Sequence, residues 1–217
     1  MPKSDASEEL LAATYRALCQ EGYASLTVED IAREADKSTS LIHYHYDTKA
    51  DLMIALIDRL LDSFAERVQA SEDRPPVERL VEFIGWFVLE AGGQRESFHV
   101  ALLGVRSQGP YDDRIRAELV RSDQLLRETV VEILHEGFAE GVFERTDPET
   151  TALLLIATLD GGRTRQVSVG DEGYTREVAE AALRQIVDPL LSEGVERPSL
   201  ADVGTGLEST LAETTGQ

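Results

Sequence analysis

The sequence predicts an all-α fold, on three observations. Apolar residues return every three or four positions in one segment after another, the period of an amphipathic helix. Strict apolar–polar alternation, the mark of a half-buried strand, persists nowhere. Cap residues stand where helical segments begin: Thr27 and Thr48 each precede an acid by three positions, Asp30 and Asp51, in the manner of a capping box. With 42% hydrophobic residues among 217, the chain can bury a core and is not globally disordered.

Residues 1–6 read as a frayed end, followed by a helix from about Ser7 to Glu21 with Leu11, Tyr15 and Leu18 on one face. Gly22 supplies the left-handed residue that ends it. Thr27 caps a second helix in which Val28, Ile31, Ala32 and Ala35 share a face. Asp36, Lys37 and Ser38 break that rhythm, and Ser38 caps a third helix, Thr39 to Tyr46. Two short helices separated by about three polar residues form a helix-turn-helix, whose second helix enters the major groove of DNA. Ile42 and Tyr46 lie four residues apart and close a core, whereas Tyr44 and His45 cannot both point inward beside Ile42. Residues 37–46 contain no acid in a chain with 41, and offer Thr39, Ser40, His43, Tyr44, His45 and Tyr46 as donors to phosphates and base edges.

A long helix then runs from Lys49 to Ala70, with Leu52, Leu56, Leu60 and Phe64 as its stripe and Ile57 and Leu61 beside it. SEDRPP at 71–76 is a linker. Five more helices are expected: Val77 to Ala91, ended by Gly92 and Gly93; Ser97 to Arg106; Tyr111 to about Glu140, with Ile115, Leu119, Leu126, Val130, Ile133 and Leu134 inward; one opened by Asp147-Pro148 and running to about Gly170; and Tyr174 to Ser192, bent or shortened by Pro189. Pro198 to Gln217 is Ser/Thr/Gly/Glu-rich and is expected to be mostly disordered.

The composition excludes several classes. One cysteine, Cys19, rules out an intrachain disulfide, and its place in the apolar pattern of the first helix fits an inert buried thiol. No apolar run approaches the ~20 residues of a membrane helix, and the polar, acidic start MPKSDASEE is no secretory signal; a soluble, cytoplasmic protein is expected, with no membrane partner. There is no Gly-rich phosphate loop, no Gly-x-Ser-x-Gly elbow and no Cys/His metal spacing. His43 and His45 diverge at i, i+2, while His99 and His135 fall in separate helices. No catalytic residue, metal or cofactor is therefore expected. The net charge of −20 opposes DNA binding by bulk attraction, and even residues 1–49 hold nine acids against five bases. Lysine is confined to Lys3, Lys37 and Lys49, and arginine numbers 18. That composition resembles proteins of salt-loving organisms, where a Debye length of about 3 Å at molar salt leaves the acidic bulk little reach.

Residues 8–60 resemble the DNA-binding domain of the TetR (tetracycline-repressor) family. Leu10-Leu11-Ala12-Ala13 opens the first helix and Gly22-Tyr23 closes it. Leu26-Thr27-Val28, Asp30-Ile31-Ala32, Tyr44-His45-Tyr46, Lys49 and Leu52 complete the pattern. Asp36 and Lys37 replace the usual Gly and apolar residue of the turn, Thr39 and Ser40 the common Lys-Gly, and His43 the first closing aromatic. The resemblance implies a three-helix helix-turn-helix domain at 1–50, joined by a linking helix to a helical regulatory and dimerisation domain at 51–197, with 198–217 a tail. It implies a homodimer on double-stranded DNA with a palindromic operator. The default role is a repressor released by a small lipophilic effector. By position in the family pattern, Thr39, Ser40 and His43 face bases, while Thr27, Tyr44, His45 and Lys49 hold phosphates, with Lys37 and Ser38 in the turn beside them. The alternative is an acidic helical protein-interaction regulator that does not itself respond to a small molecule.

A ligand pocket is expected among Phe83, Trp86, Phe87, Phe98, His99, Leu102, Arg106, Leu126, Val130 and Asp160, where aromatics and apolar residues meet a few polar groups. Glu90 and Arg163 are further charges inside apolar stretches, and each needs a partner or a ligand. The same residues serve equally as a packed core with internal ion pairs. The stretch TTALLLIATLDGG is apolar all round at its start, which requires burial on more than one side. An ordinary core helix satisfies this, as does the family's pairing with a twin helix in a four-helix interface.

Overall fold

A computed structural model describes residues 5–88 and 93–203. Over these the chain is helical: α1 Asp5–Ser25, α2 Val28–Ala35, α3 Thr39–His45, α4 Lys49–Ala70, α5 Pro76–Gly85, α6 Gln94–Arg106, α7 Asp113–Glu140, α8 Pro148–Val169 and α9 Tyr174–Ala182. One isolated antiparallel bridge, Phe143 to Leu191, is the β contact seen among the described residues. No described helix is long and apolar enough to cross a membrane.

The chain divides into two compact units, with the divisions inside α4 and α7. The first holds residues up to Ala65 together with Gln94–Ser122; the second holds Glu66–Gly93 and continues from Asp123. This differs from a division at residue 50, because α6 joins the head. Tyr15 of α1 stacks on Phe98 of α6 with ring centroids 5.0 Å apart. Gly104 lets α6 approach so closely that a Cβ there would lie 3.0 Å from that of Tyr23. Arg114 reaches Asp51 at 2.6 Å and Arg121 reaches Asp58 at 2.5 Å. These rungs are seven residues apart on both helices, so α4 and the start of α7 run parallel. Asp112 accepts from the backbone N–H groups of Arg114 and Ile115, capping α7.

Within the head, Leu10, Leu11, Ile31, Ile42, Leu52 and Leu56 are almost wholly buried. Cys19 is half-buried, and burial pushes its thiol up to about 11. At pH 8, native Cys19 is expected to alkylate at least about tenfold more slowly than free cysteine, because so little is thiolate. An equal rate in the folded protein would contradict its placement. The measurement is iodoacetamide labelling followed by mass spectrometry, with and without denaturant.

In the second unit, α5 ends at Gly85, six residues short of the expected Ala91. Arg163 of α8 is the physical reason. Its guanidinium donates to the carbonyls of Trp86 at 2.7 Å and Phe87 at 3.3 Å, and lies over both rings. Carbonyls captured in this way do not need the next helical turn. Buried Arg79 pairs with Glu136. Pro148 opens α8 at its first position, as its fixed φ favours. α8 packs on α9, where Gln166 accepts from both the N–H and the hydroxyl of buried Thr175. The expected last helix to Ser192 instead widens into a π-type turn at Leu183–Val187 and tightens to a 3₁₀ turn at Asp188–Leu190, which holds Pro189. The start of the tail is docked, not disordered: Leu200 and Val203 are 5% exposed and lie against Gly85. Residues 204–217 lie outside the described residues.

Candidate nucleic-acid interface

The interface begins with caps. Thr27 Oγ1 accepts from the Asp30 N–H at 3.2 Å, and the Asp30 carboxylate accepts from the Thr27 N–H at 2.9 Å. The Thr27 hydroxyl also donates to that carboxylate, and this bond first, then the Thr27 N–H and Arg33, hold the Asp30 carboxyl below its ordinary value. α2 stops at Asp36, which adopts a left-handed φ of 50°. Aspartate tolerates this region better than most residues, so the turn forms without glycine. Ser38 then caps α3, accepting from the Leu41 N–H at 3.3 Å. α3 is one residue shorter than expected, with Tyr46 as its C-cap.

Ile42 is fully buried and the Tyr46 hydroxyl lies 3.2 Å from Ser7 Oγ, so both face the head's interior. The opposite side of α3 is open. Ser40, His43, Tyr44 and His45 are exposed, Tyr44 to 82%, and Thr39 is half-buried. Ser40, His43 and Tyr44 share one face by helical spacing. His45 meets the edge of Tyr44 with centroids 5.1 Å apart. Thr27, Lys37 and Ser38 are exposed beside this row.

The charge distribution is unusual for a DNA-reading head. Each cation between Thr27 and Lys49 is already engaged. Arg33 pairs with Asp30 at 2.6 Å, and Lys37 with Glu9 at 3.3 Å. Lys49 turns inward, donating to the carbonyls of Tyr23 at 2.9 Å and Leu26 at 3.1 Å. The surface offered to a ligand is thus a row of neutral donors and acceptors on rigid helices.

The expected pocket residues fall into two groups. Phe98, His99, Leu102 and Arg106 belong to the first unit; Phe83, Trp86, Phe87, Leu126, Val130 and Asp160 belong to the second. Phe98 has the stack on Tyr15. Phe83 and Phe87 lie 5.4 Å apart, and Trp86 meets the edge of Phe87 at 5.2 Å. Leu126 and Val130 are buried, His99, Leu102 and Asp160 half-buried, and Arg106 exposed. Glu90 lies outside the described residues. Sequence reasoning named Arg163 only as a charge needing a partner; no local signal marks it as the residue that receives the end of α5.

A capped helix-turn-helix with an open polar face, followed by a larger helical portion, defines a DNA-binding regulator. Residues 76–192, more than half of the chain, match the C-terminal domain of BetI-type transcriptional repressors, and residues 10–56 match the bacterial regulatory proteins of the tetR family. The chain belongs to the TetR family of transcriptional regulators, which are DNA-binding factors and not enzymes. A TetR transcription regulator from Haloarcula marismortui is 35% identical, covering 88% of this chain and 100% of that one with a TM-score of 0.79. The HTH-type transcriptional regulator HbdR of Aromatoleum sp. (strain CIB) is 23% identical over 212 residues, 95% of this chain and 90% of that protein. FadR from Bacillus subtilis, solved in complex with stearoyl-CoA, shares the fold at 21% identity, with 84% of this chain and 98% of that one covered and a TM-score of 0.68.

Proposed function

We propose that this protein is a dimeric, sequence-specific repressor that binds a palindromic operator and leaves it when a small lipophilic ligand occupies the helical portion. The observation that carries the reading is the open face of α3. Ser40 and His43, with Thr39 beside them, are presented to base edges, while Tyr44, His45, Thr27, Ser38 and Lys37 flank them towards the phosphates. Two such heads related by a two-fold axis match two half-sites of a palindrome. Support for a twin helix comes from α8, which leaves Leu153 and Leu154 about half exposed on the side away from its buried residues. An apolar ligand suits the aromatic group Phe83, Trp86 and Phe87.

The test is selection of duplexes from a random library with the purified protein, in molar KCl. A two-fold symmetric consensus is expected; enrichment of no sequence would refute the reading. Thermal shifts with fatty acyl and other lipophilic compounds test the ligand. The excess of acid further makes this a protein adapted to high salt. Screening of self-repulsion is expected to raise the melting temperature as KCl goes from about 0.1 to 1 M, the range over which the Debye length falls from about 10 to 3 Å. A fold that is most stable, and binds DNA best, in low salt would overturn the adaptation.

A further inference from the structure

We propose that α3 is a proton-coupled reader: His43 and His45 take up protons on contact with DNA and supply the positive charge that this helix otherwise lacks. The inference rests on the DNA-binding reading above and names the charge state in which that site works. α3, Thr39–His45, contains no lysine, arginine, aspartate or glutamate. Its two histidines are the groups on it that can become cations. Both are exposed, on a helix whose opposite side is fixed by fully buried Ile42. His43 shares the open face with Ser40 and Tyr44 by helical spacing. The His45 ring stands beside those of Tyr44 at 5.1 Å and Tyr46 at 6.4 Å.

The charged groups of the neighbouring elements favour the protonated state. α1 brings Glu8, Glu9 and Arg16, and α2 brings Glu29, Asp30, Arg33 and Glu34. The turn brings Asp36 and Lys37; Asp47 follows α3, and α4 brings Lys49, Asp51 and Arg59. Arg16, Arg33, Lys37 and Arg59 are paired with Glu34, Asp30, Glu9 and Glu8. Acid outnumbers base in this set, and nearby carboxylates favour an imidazolium over an imidazole. A duplex adds phosphates on the open side, which act in the same direction. It offers acceptors to α3: phosphate oxygens, and O6 and N7 of guanine in the major groove. A neutral imidazole presents one donor and one acceptor nitrogen, whereas an imidazolium presents two donors. Only the protonated ring suits acceptors at both nitrogens. A histidine ordinarily titrates near pH 6.5. One whose pKa is raised in the complex strengthens binding fully below the free value, and the gain is lost as pH rises through the bound value.

The test is fluorescence anisotropy on the duplex selected by the wild-type protein, at pH values from about 6 to 8 bracketing the ordinary histidine value. Molar KCl is used, where a Debye length of about 3 Å leaves direct contacts to act. A rise of one pKa unit on binding is about tenfold in affinity for each histidine, so affinity is expected to increase about tenfold or more from the highest pH to the lowest. His43→Gln combined with His45→Gln keeps neutral hydrogen-bonding side chains at both exposed positions, and is expected to lose that increase. Lys37 and Lys49 are intact in this variant and ordinarily stay charged far above this range. His99 of α6 and His135 of α7 are intact as well, so a pH dependence that belonged to them would survive. Affinity that is flat across the range, or a double variant that keeps the wild-type increase, would overturn the proposal. Calorimetry of the wild-type protein in buffers of different ionisation enthalpy counts the protons taken up per duplex. It decides the question if the double variant does not fold by circular dichroism, and an uptake of zero sinks the inference. Two further arms locate the contact. A slope of log K against log[salt] steeper at low pH, by about 0.9 for each imidazolium, assigns it to phosphate. Guanine enriched by selection at low pH and not at high pH assigns it to a base edge. Failure of the wild-type protein to enrich any duplex would overturn the DNA reading, and this inference with it; an enriched duplex bound equally at every pH overturns this inference alone.

Discussion

On the dimeric reading proposed above, Gly161→Arg is expected to yield a folded monomer that has lost its operator. A Cβ added at Gly161 meets nothing within 4 Å in the isolated chain, so a longer side chain fits there without disturbing the fold. Gly161 sits in α8 on the exposed side with Leu153, Leu154, Ala157 and Thr158, spaced at three and four residues. That side is apolar for two turns, while Ala152, Leu155, Ile156 and Leu159 bury the other. An arginine projecting from it has no place in a close helix–helix contact with a second copy. Replacing glycine inside a helix also removes a propensity penalty of up to about 1 kcal/mol, so the chain's own melting is expected to hold or rise. On that reading the effect on DNA is large, because two heads on one dimer act at high effective concentration. Losing that linkage costs roughly 10²–10⁴-fold in affinity. Light scattering reads the mass and anisotropy reads the binding. A Gly161→Arg protein that remains a dimer would place the twofold contact elsewhere.

Local chemistry made the head legible. The caps at Thr27, Ser38 and Thr48 form within three residues of sequence, and all three appear in the structure. Ile42 is buried because its neighbours at i±1 and i+2 cannot be buried with it on one short helix. Pro148 marks the start of α8 by its fixed φ. What sequence did not reveal depends on distant partners. α5 ends at Gly85 because Arg163, some 77 residues on, takes the carbonyl of Trp86. Leu200 and Val203 are buried because Gly85 leaves room for them; Leu200 stands out as an apolar anchor in its polar stretch, whereas nothing local marks Val203. Lys49 stands at the start of α4, and sequence offers no sign of what its ammonium touches within the fold. Only the fold brings it to Tyr23 and Leu26.

Gly137 is a constraint that only the fold reveals, and the largest loss of stability is expected there. A Cβ on residue 137 would lie 1.9 Å from Cδ2 of Phe143, 2.5 Å from Cε2 and 2.9 Å from Cγ. No rotation of an alanine methyl relieves an overlap of that size. The ring would have to move, and it cannot move cheaply, since Phe143 is 3% exposed. Its backbone is also pinned. The N–H groups of Val142 and Phe143 donate to the Gly137 carbonyl, that of Glu144 to the Leu190 carbonyl at 2.7 Å, and that of Ser192 to the Val142 carbonyl. Gly137→Ala therefore forces either the end of α7 or this bridge out of place. Overpacking of this kind costs about 3 kcal/mol, which for a chain of this length lowers the melting temperature by roughly 6–12 °C. Phe143→Leu, which removes the ring, is expected to be destabilising alone through the cavity it leaves. Combined with Gly137→Ala it should cost less than the sum, because the small side chain accepts the added methyl. Calorimetry of the four proteins closes the cycle. Additive losses would mean that the α7 terminus adjusts independently of Phe143 and that the ring does not set its position.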